Sequence, residues 1–344
     1  MLRLSTRLSA VDKVRLADVA RAAGVSIAAV SRTMNQNGYV AEDVQARIHR
    51  AADEIGYVHP NHKKPIRRKN VIGLISTLAA LNPFIPAMND ALQMQAAEKD
   101  YYCVQASSGQ LDNDKLAYHA EQLSKLGVCG LLITGFFAET LSEDTRLLLF
   151  SLKIPVVFLE RADGCQGFNR VLVDSSIGTY VATKHLIDKG HRRLAYITLN
   201  TEGTIESNRM KGFRRAIDGA ESPDITHTIV SCNQVTPLSA AMAMRSALDV
   251  TPDITGVVAW NDLFAAGAQY VFEQIGRSAS NGAVEIIGHD NVLAPFMPAP
   301  IGSVQMPIGE IASSAIEIVD KQLHSKTPLS PRTITLEPKL VLID

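Results

Sequence analysis

The chain has 344 residues, of which 46% are hydrophobic and 20% charged, so it is a globular protein long enough for two or three domains. This composition excludes disordered, collagen-like and disulfide-scaffold proteins, and the four cysteines are too widely spaced for a metal or redox motif. The net charge of −1 hides a basic N-terminal region, because residues 1–70 carry 13 Lys and Arg against 6 Asp and Glu. Such a region is typical of a segment that binds a polyanion, although an ordinary solvated face can have the same charge.

The first predicted elements are three short helices. Apolar residues recur with helical spacing from Leu16 to Ala23, and Gly24 is a predicted helix stop. Ser26 is a predicted N-cap for a second helix over residues 27–34, and an apolar stripe over residues 44–55 predicts a third. Two helices joined by a short turn are typical of a helix-turn-helix, whose second helix enters the major groove of DNA. The same pattern also fits a three-helix bundle that binds nothing.

The outer face of the second helix carries residues suited to reading DNA. Arg32 can bond guanine through two donors, and Ser31 can bond a phosphate. Ile27 and Ala28 can make only apolar contacts, such as contacts with thymine methyl groups.

From residue 71 onward, β-branched runs alternate with helical stretches. Strands are predicted at residues 71–76, 102–106, 130–134, 156–159, 171–174, 194–198, 228–230, 256–260, 284–288 and 302–305. Helices are predicted between most of them, which indicates parallel α/β sheets with helices on both faces. Ten strands exceed one ordinary sheet, so we expect two similar lobes with a ligand cleft between them, at the carboxyl ends of the strands.

Longer strings in the chain resemble one known family. The string from Leu16 to Asn35, LADVARAAGVSIAAVSRTMN, followed by Glu54-Ile-Gly-Tyr57, closely resembles the headpiece of the LacI/GalR family of bacterial transcriptional regulators. The resemblance continues to nearly the last residue and implies a two-lobed core like that of periplasmic sugar-binding proteins. It implies DNA contacts from the headpiece and the linker, namely Leu16, Ser26, Ile27, Ala28, Ala29, Ser31, Arg32, Asn35, Ile66 and Arg67.

The family resemblance also implies effector-binding residues in the core. Arg209 begins an Arg-x-x-Gly-Phe motif and resembles the arginine that holds effector oxygens, while Asp290 resembles the carboxylate that accepts from effector hydroxyls. Trp260 either stacks on a sugar ring or belongs to the core. Glu160 and Arg161 either contact the effector or form a structural ion pair. The full expected set is Asn82, Phe84, Glu160, Arg161, Arg209, Trp260, Asn261 and Asp290.

These patterns predict a domain organisation. We expect an N-terminal arm (1–13), a helix-turn-helix headpiece (14–60), a basic linker (61–70) and an effector-binding and dimerisation core (71–344). Lobe 1 is expected over residues 71–170 and 303–325, and lobe 2 over residues 171–302 and 326–344. The linker departs from the family pattern because Pro65 disfavours a helix there. Three alternatives are open for the linker. Ile66 inserts into the minor groove, or the basic residues of the linker bind phosphates without bending the DNA, or the linker is a flexible tether.

The expected function is that of a cytoplasmic, homodimeric, sugar-responsive repressor that binds pseudo-palindromic operator DNA and needs no cofactor or metal. A purine- or nucleoside-responsive regulator, or an activator, remains an alternative within the family. A sugar-active enzyme is disfavoured because the chain lacks a dinucleotide fingerprint, a phosphate-binding loop and a nucleophile elbow. A sugar-binding protein for transport is disfavoured because it would need a secretory signal and would lack a basic headpiece. No membrane helix is expected, because no apolar run approaches about 20 residues. Whether the effector is an inducer or a corepressor stays open.

Overall fold

The computed structural model describes residues 14–35, 37–55, 57, 70–77, 82–109, 111–136, 141–160, 164–200, 208–220, 222–278, 281–297, 299 and 301–342. The chain divides into two compact units, residues 1–67 and 68–344, and each is described by itself. The predicted N-terminal arm lies outside the described residues, and so does nearly all of the predicted linker, including Ile66 and Arg67.

The first unit contains three helices, α1 (Leu16–Ala23), α2 (Ile27–Asn35) and α3 (Glu42–Glu54). Gly24 ends α1 in the left-handed conformation, with φ 64°, as the sequence predicts. The Ser26 hydroxyl caps α2 by accepting from the Ala29 N–H at 3.2 Å. Arg47 on α3 donates to the carbonyl oxygen of Ala23 at 2.7 Å, which fastens α3 to the end of α1. The helix-turn-helix is confirmed.

The second unit contains two six-stranded sheets, each with apolar clusters on both faces. The first sheet comprises β1 (Val71–Thr77), β2 (Tyr102–Ser108), β3 (Gly130–Thr134), β4 (Val156–Glu160), β5 (Asn169–Val173) and β11 (Thr333–Leu336). It is parallel throughout, in the order β11-β5-β4-β3-β1-β2. Its helices are α4 (Phe84–Ala97), α5 (Asn113–Lys125), α6 (Glu143–Ser151) and α11 (Ile308–His324).

The second sheet comprises β6 (Arg193–Leu199), β7 (Thr226–Cys232), β8 (Gly256–Ala259), β9 (Glu285–Asp290), β10 (Gly302–Gln305) and β12 (Lys339–Val341). The order is β12-β10-β9-β8-β6-β7, and β12 runs antiparallel to β10. Its helices are α7 (Ser175–Asp188) and α8 (Asn208–Asp218) on one face, and α9 (Pro237–Val250) and α10 (Asp262–Gln274) on the other.

The structure corrects the predicted division of strands between the lobes. The strand expected at residues 171–174 in lobe 2 is β5, which pairs with β4 in the first sheet. The strand expected from residue 303 in lobe 1 is β10, which pairs with β9 in the second sheet. In the part of the chain that the structure describes there are twelve strands, and the unpredicted β11 and β12 belong to different sheets. Periodicity identifies a strand but not its partner, because pairing joins residues far apart in sequence.

The chain therefore crosses between the lobes three times: after β5, after β10, and between β11 and β12. Asp174, expected to end a strand, instead lies at the first crossing and caps α7 by accepting from the Ser176 N–H at 3.0 Å. At the third crossing only two residues separate the two strands. Short crossings of this kind are positions at which two packed lobes can rotate about one another.

Candidate ligand cleft and recognition helix

A cavity of about 310 Å³ lies between the two lobes at the carboxyl ends of their strands. Glu160 at the end of β4 and Thr335 in β11 line it from the first lobe, while Arg209 in α8 and Trp260 after β8 line it from the second. Its described lining is Glu160, Leu172, Val173, Asp174, Ser175, Ser176, Asn208, Arg209, Lys211, Trp260 and Thr335. Both lobes therefore contribute polar side chains to a single cleft.

Arg209 joins two other predicted residues at this cleft. One terminal nitrogen donates to the backbone oxygen of Trp260, and Nη2 donates to Oδ1 of Asp290 at 3.2 Å. The guanidinium carbon also lies 5.2 Å from the centre of the Trp260 ring. Among the described residues these contacts use only part of the five donors of a guanidinium, so Arg209 has further N–H groups with which it can bond a ligand. The structure brings together three residues that the sequence predicted separately.

Asp290 ends β9 in an unusual backbone conformation. Its φ is 100° and that of Asn291 is 53°, in a region that residues other than glycine rarely adopt. Burial raises the pKa of the Asp290 carboxyl to about 6, although the charge of Arg209 opposes this shift. Backbone strain at a buried carboxylate is typical of a functional site.

The other predicted cleft residues differ in their surroundings. Glu160 is buried, with φ 65°, and its carboxylate accepts from the Thr134 hydroxyl, whereas Arg161 lies outside the described residues. The Asn261 oxygen caps α10 by accepting from the Phe264 N–H at 3.0 Å. The Asn261 amide nitrogen is buried without a partner among the described residues, so it has a donor to offer.

Two predicted residues of the first lobe are not among the described residues that line the cavity. Asn82 accepts from the Phe84 N–H at 3.1 Å and so caps the start of α4. The Phe84 ring is buried in the apolar cluster beneath the first sheet, because α4 turns its first residue inward. Their contact with a ligand stays a prediction. Trp260 is half-buried, with its ring 5.8 Å from that of Phe264, so it lies between the core and the cavity.

Sequence reasoning missed Asp262, which holds the turn after β9. Its Oδ2 accepts from the backbone N–H groups of Val292, Leu293 and Ala294 at 3.0, 3.0 and 3.1 Å, and its Oδ1 accepts from the Ser303 hydroxyl at 2.6 Å. Burial raises the pKa of this carboxyl, and the bond from Ser303 opposes that shift. Lys211 and Asn208 were also missed, although their position in the Arg209 motif was a usable signal.

In the first unit, α2 has an inward face and an outward face. Val30 and Met34 are buried in the small core, whereas Ile27 is 54% exposed. Ala28, Arg32 and Asn35 are also exposed, and Ala29 and Ser31 are half-buried. Asn35 donates to the backbone oxygen of Ser31 at 2.9 Å. Leu16 is half-buried against the core, so a DNA contact from it would use only part of its side chain.

These features define a protein with a helix-turn-helix unit and a separate two-lobed ligand-binding core. Family models match both parts: the model described as "Bacterial regulatory proteins, lacI family" matches residues 15–61, and the model "Periplasmic binding protein-like domain" matches residues 183–342. The chain belongs to the LacI family of bacterial transcriptional regulators, which bind DNA.

Curated relatives align along nearly the whole chain. The ribose operon repressor of Haemophilus influenzae is 26% identical over 331 residues, which cover 94% of this chain and 96% of that protein. The transcriptional repressor PurR of Vibrio vulnificus is 27% identical over 331 residues, which cover 95% of this chain and 97% of that protein. Both are named repressors.

Solved structures show the same fold. A complex of the transcriptional regulator CelR with cellobiose is 25% identical, has a TM-score of 0.66, and matches over 96% of this chain and 98% of that one. The lac repressor dimer bound to operator is 18% identical, with a TM-score of 0.67 and the same coverage. None of the helices that the structure describes is both long and apolar enough to cross a membrane.

Proposed function

We propose that this regulator represses a carbohydrate-utilisation operon, and that a sugar or sugar derivative bound between the lobes changes its affinity for a pseudo-palindromic operator. The observation that carries the proposal is the joining of Arg209, Asp290 and Trp260 beside a cavity lined by both lobes. A guanidinium and a carboxylate together donate to and accept from vicinal hydroxyl groups, and an indole face packs against the C–H face of a sugar ring.

A sugar effector also agrees with the other groups at the cleft. Glu160 lines the cavity from the first lobe and carries acceptor oxygens. Asn261, which follows Trp260 but is not among the lining residues, has a buried amide nitrogen without a partner among the described residues. A ligand that bonds both lobes stabilises the closed arrangement of the lobes over the open one. The equilibrium between the two arrangements shifts by the difference in the ligand's affinity for them. An indole also stacks on a purine, so nucleosides are the alternative ligands to include in any test.

The effector proposal is tested by thermal unfolding of the full chain against sugars, sugar phosphates and nucleosides. A ligand at about 100 times its Kd adds about 2.7 kcal/mol to the stability of the core. Arg209→Met should abolish the response to the ligand. Arg215→Met is the matched control, because Arg215 lies on the same helix but packs over the Tyr180 ring, 4.3 Å away. An Arg209→Met protein that responds like wild type would overturn the assignment of the cleft.

We assign base reading to the exposed face of α2, with Arg32 as the residue that reads a base edge. Its side chain has no hydrogen-bond or ion-pair partner in the described part of the chain, whereas Arg21 on α1 lies 3.5 Å from Asp18. Arg32→Ala should relax sequence preference at one position of DNA selected from a random pool, at a cost of about 1–3 kcal/mol. Arg21→Ala removes the same charge and should leave the preference unchanged. The reverse pattern would refute the assignment.

Two headpieces that read a pseudo-palindrome require a dimer, and we propose that the core provides it. Exposed apolar side chains on the outer strand β2 and on α9 support this: Tyr102, Leu238 and Met242 are 75%, 71% and 66% exposed. Sedimentation should give a dimer for wild type and a monomer for a variant with Tyr102→Lys and Met242→Asp. A dimer that persists in this variant would place the interface elsewhere.

A further inference from the structure

His289 lies beside the effector aspartate but takes no part in the proposed ligand contacts. It is 1% exposed, and its Nδ1 lies 3.1 Å from Oδ1 of Asp290. The same oxygen accepts from Nη2 of Arg209 at 3.2 Å. Asp290 Oδ1 is therefore held by two donors from two different elements, β9 and α8. No hydrogen-bond partner of Oδ2 is found among the described residues, so the proposed ligand contact is assigned to this oxygen.

The hydrogen bond fixes the tautomer of the imidazole. An ionised carboxylate only accepts, so Nδ1 must carry the hydrogen in the neutral ring. Nε2 is then a bare acceptor, and it is buried without a partner among the described residues. A second N–H at Nε2 would have no described acceptor, so the protonated imidazolium is disfavoured. Burial accordingly lowers the pKa of His289 well below its usual value, and the charge of Arg209 lowers it further.

Among the residues that the structure describes, two charged groups besides the pair itself act on His289 and Asp290. From α8 the guanidinium of Arg209 faces the pair, and from α10 the carboxyl of Asp262 acts on Asp290 through its charge. His289 Nε2 lies next to Gly178 of α7. The side chains of Val304 in β10 and of Pro338 at the third crossing pack against the same glycine. None of these three residues is charged. When the pH falls, Asp290 is therefore the group of the pair that takes up a proton. Burial raises the pKa of its carboxyl to about 6.

We propose that His289 is a positioning residue, which holds Asp290 in its ligand-binding orientation and lowers the pH at which the Asp290 carboxylate takes up a proton. This rests on the proposed ligand site, because it concerns how one of its residues is held. At a pH above the pKa of Asp290, the carboxylate accepts from Arg209 and from a ligand hydroxyl. At a pH below this pKa, Asp290 is a neutral acid and the cleft has lost one negative charge. A donor to the ionised form favours ionisation, so removal of the His289 donor moves this protonation to higher pH.

The sole tryptophan offers a readout that needs no ligand. Trp260 contacts Arg209, which in turn bonds Asp290, so the intrinsic fluorescence of the full chain reports the protonation of Asp290. Wild type titrated from about pH 5 to 8 should show one transition with a midpoint near the pKa of about 6 given above for Asp290. Asp290→Asn should abolish the transition. A wild-type protein without this transition, or an Asp290→Asn protein that keeps it, would overturn the proposal.

Two variants of nearly equal size isolate the role of His289. Asn places an amide N–H near the position of Nδ1, whereas Leu has almost the same shape and no donor. We expect His289→Leu to raise the midpoint by about one pH unit and His289→Asn to keep it near the wild-type value. Equal midpoints in the two variants would refute the positioning role. Both variants leave a cavity of similar size, so the lost packing should lower their unfolding temperatures equally. A difference between the midpoints of their pH titrations therefore reports the hydrogen-bond donor and not the packing. Failure of the sugar panel would leave this titration unaffected.

Discussion

Replacing Asp262 by leucine removes the acceptor on which the turn after β9 depends. Three backbone N–H groups, those of residues 292–294, and the Ser303 hydroxyl donate to this carboxylate. The turn follows directly on Asp290 and Asn291, and the Ser303 oxygen also accepts from the Asn291 N–H at 3.1 Å. Asp262 thereby links the start of α10 to the strained end of β9.

The expected loss follows from the donors left without an acceptor. The Ala294 N–H and the Ser303 hydroxyl are buried, and the N–H groups of Val292 and Leu293 are half-buried. A buried donor without an acceptor costs about 1–3 kcal/mol and a half-buried one less, so the four together cost about 4–6 kcal/mol. Removing a buried carboxylate recovers part of this, because burial disfavours its ionised form and raises its pKa. We therefore expect Asp262→Leu to lower the free energy of unfolding of the core by about 3–5 kcal/mol. This corresponds to about 10 °C in Tm for a core of this size.

Asp262→Asn is the matched variant, because asparagine has nearly the shape of leucine and keeps one oxygen for the three N–H groups. It should cost about 1–2 kcal/mol. The assay is thermal unfolding of the full chain at pH 7.5, followed through the transition of the core. The reasoning fails if the two variants unfold at the same temperature, or if Asp262→Leu loses less than about 1 kcal/mol, within the range of an ordinary surface substitution.

Two further predictions concern the second lobe. Glu285 bonds His185 at 2.7 Å and His191 at 3.2 Å; burial raises its pKa, but these hydrogen bonds outweigh burial and lower it. A carboxyl whose pKa is lower in the folded than in the unfolded chain stabilises the fold at pH values above its unfolded pKa, so Glu285→Gln should cost about 1–3 kcal/mol at pH 7. The cost should disappear as the pH falls through the lowered pKa of Glu285, and a cost that stays the same in acid would contradict this. A Cβ at Gly212 would lie 2.1 Å from a backbone oxygen of α7, so Gly212→Ala should cost about 1–3 kcal/mol in urea unfolding. Gly309, also helical, has nothing within 4 Å of such a Cβ and is the control: Gly309→Ala should be neutral or slightly stabilising, and equal losses in both variants would refute the packing argument.

Local signals predicted much of the fold and part of the site. The spacing from Leu16 to Gly24 predicted α1 and its end, since helix periodicity and a glycine stop act within a few residues. The family resemblance predicted Arg209 from its Arg-x-x-Gly-Phe motif and Asp290 and Trp260 from their places at strand ends, and the structure places Arg209 against both of the other residues. Asp290 and Trp260 lie near one another because parallel strands of one sheet place their carboxyl ends along one edge, and ligand binding by these residues stays a prediction.

The features that were missed depend on pairing between distant residues. β11 and β12 are short, exposed strands separated by only two residues, yet they join different sheets, and no local pattern encodes this. Asp262 reads as the first residue of a helix, and its four bonds appear only when residues 292–303 fold over it. Phe84 was expected at the cleft from its place after β1; its ring is buried in the apolar cluster beneath the first sheet, and its contact with a ligand stays a prediction.

The most direct test of the account is the affinity of the full chain for DNA with and without a bound sugar. The duplex is one selected from a random pool, and the sugar is the one that stabilises the core in the thermal panel. We expect a saturating sugar to change the Kd for the duplex by about tenfold or more in wild type, which is a coupling of at least about 1.4 kcal/mol. Arg209→Met should bind the duplex with unchanged affinity and show no response to the sugar. A sugar that stabilises the core of wild type but leaves its DNA affinity unchanged would contradict the account.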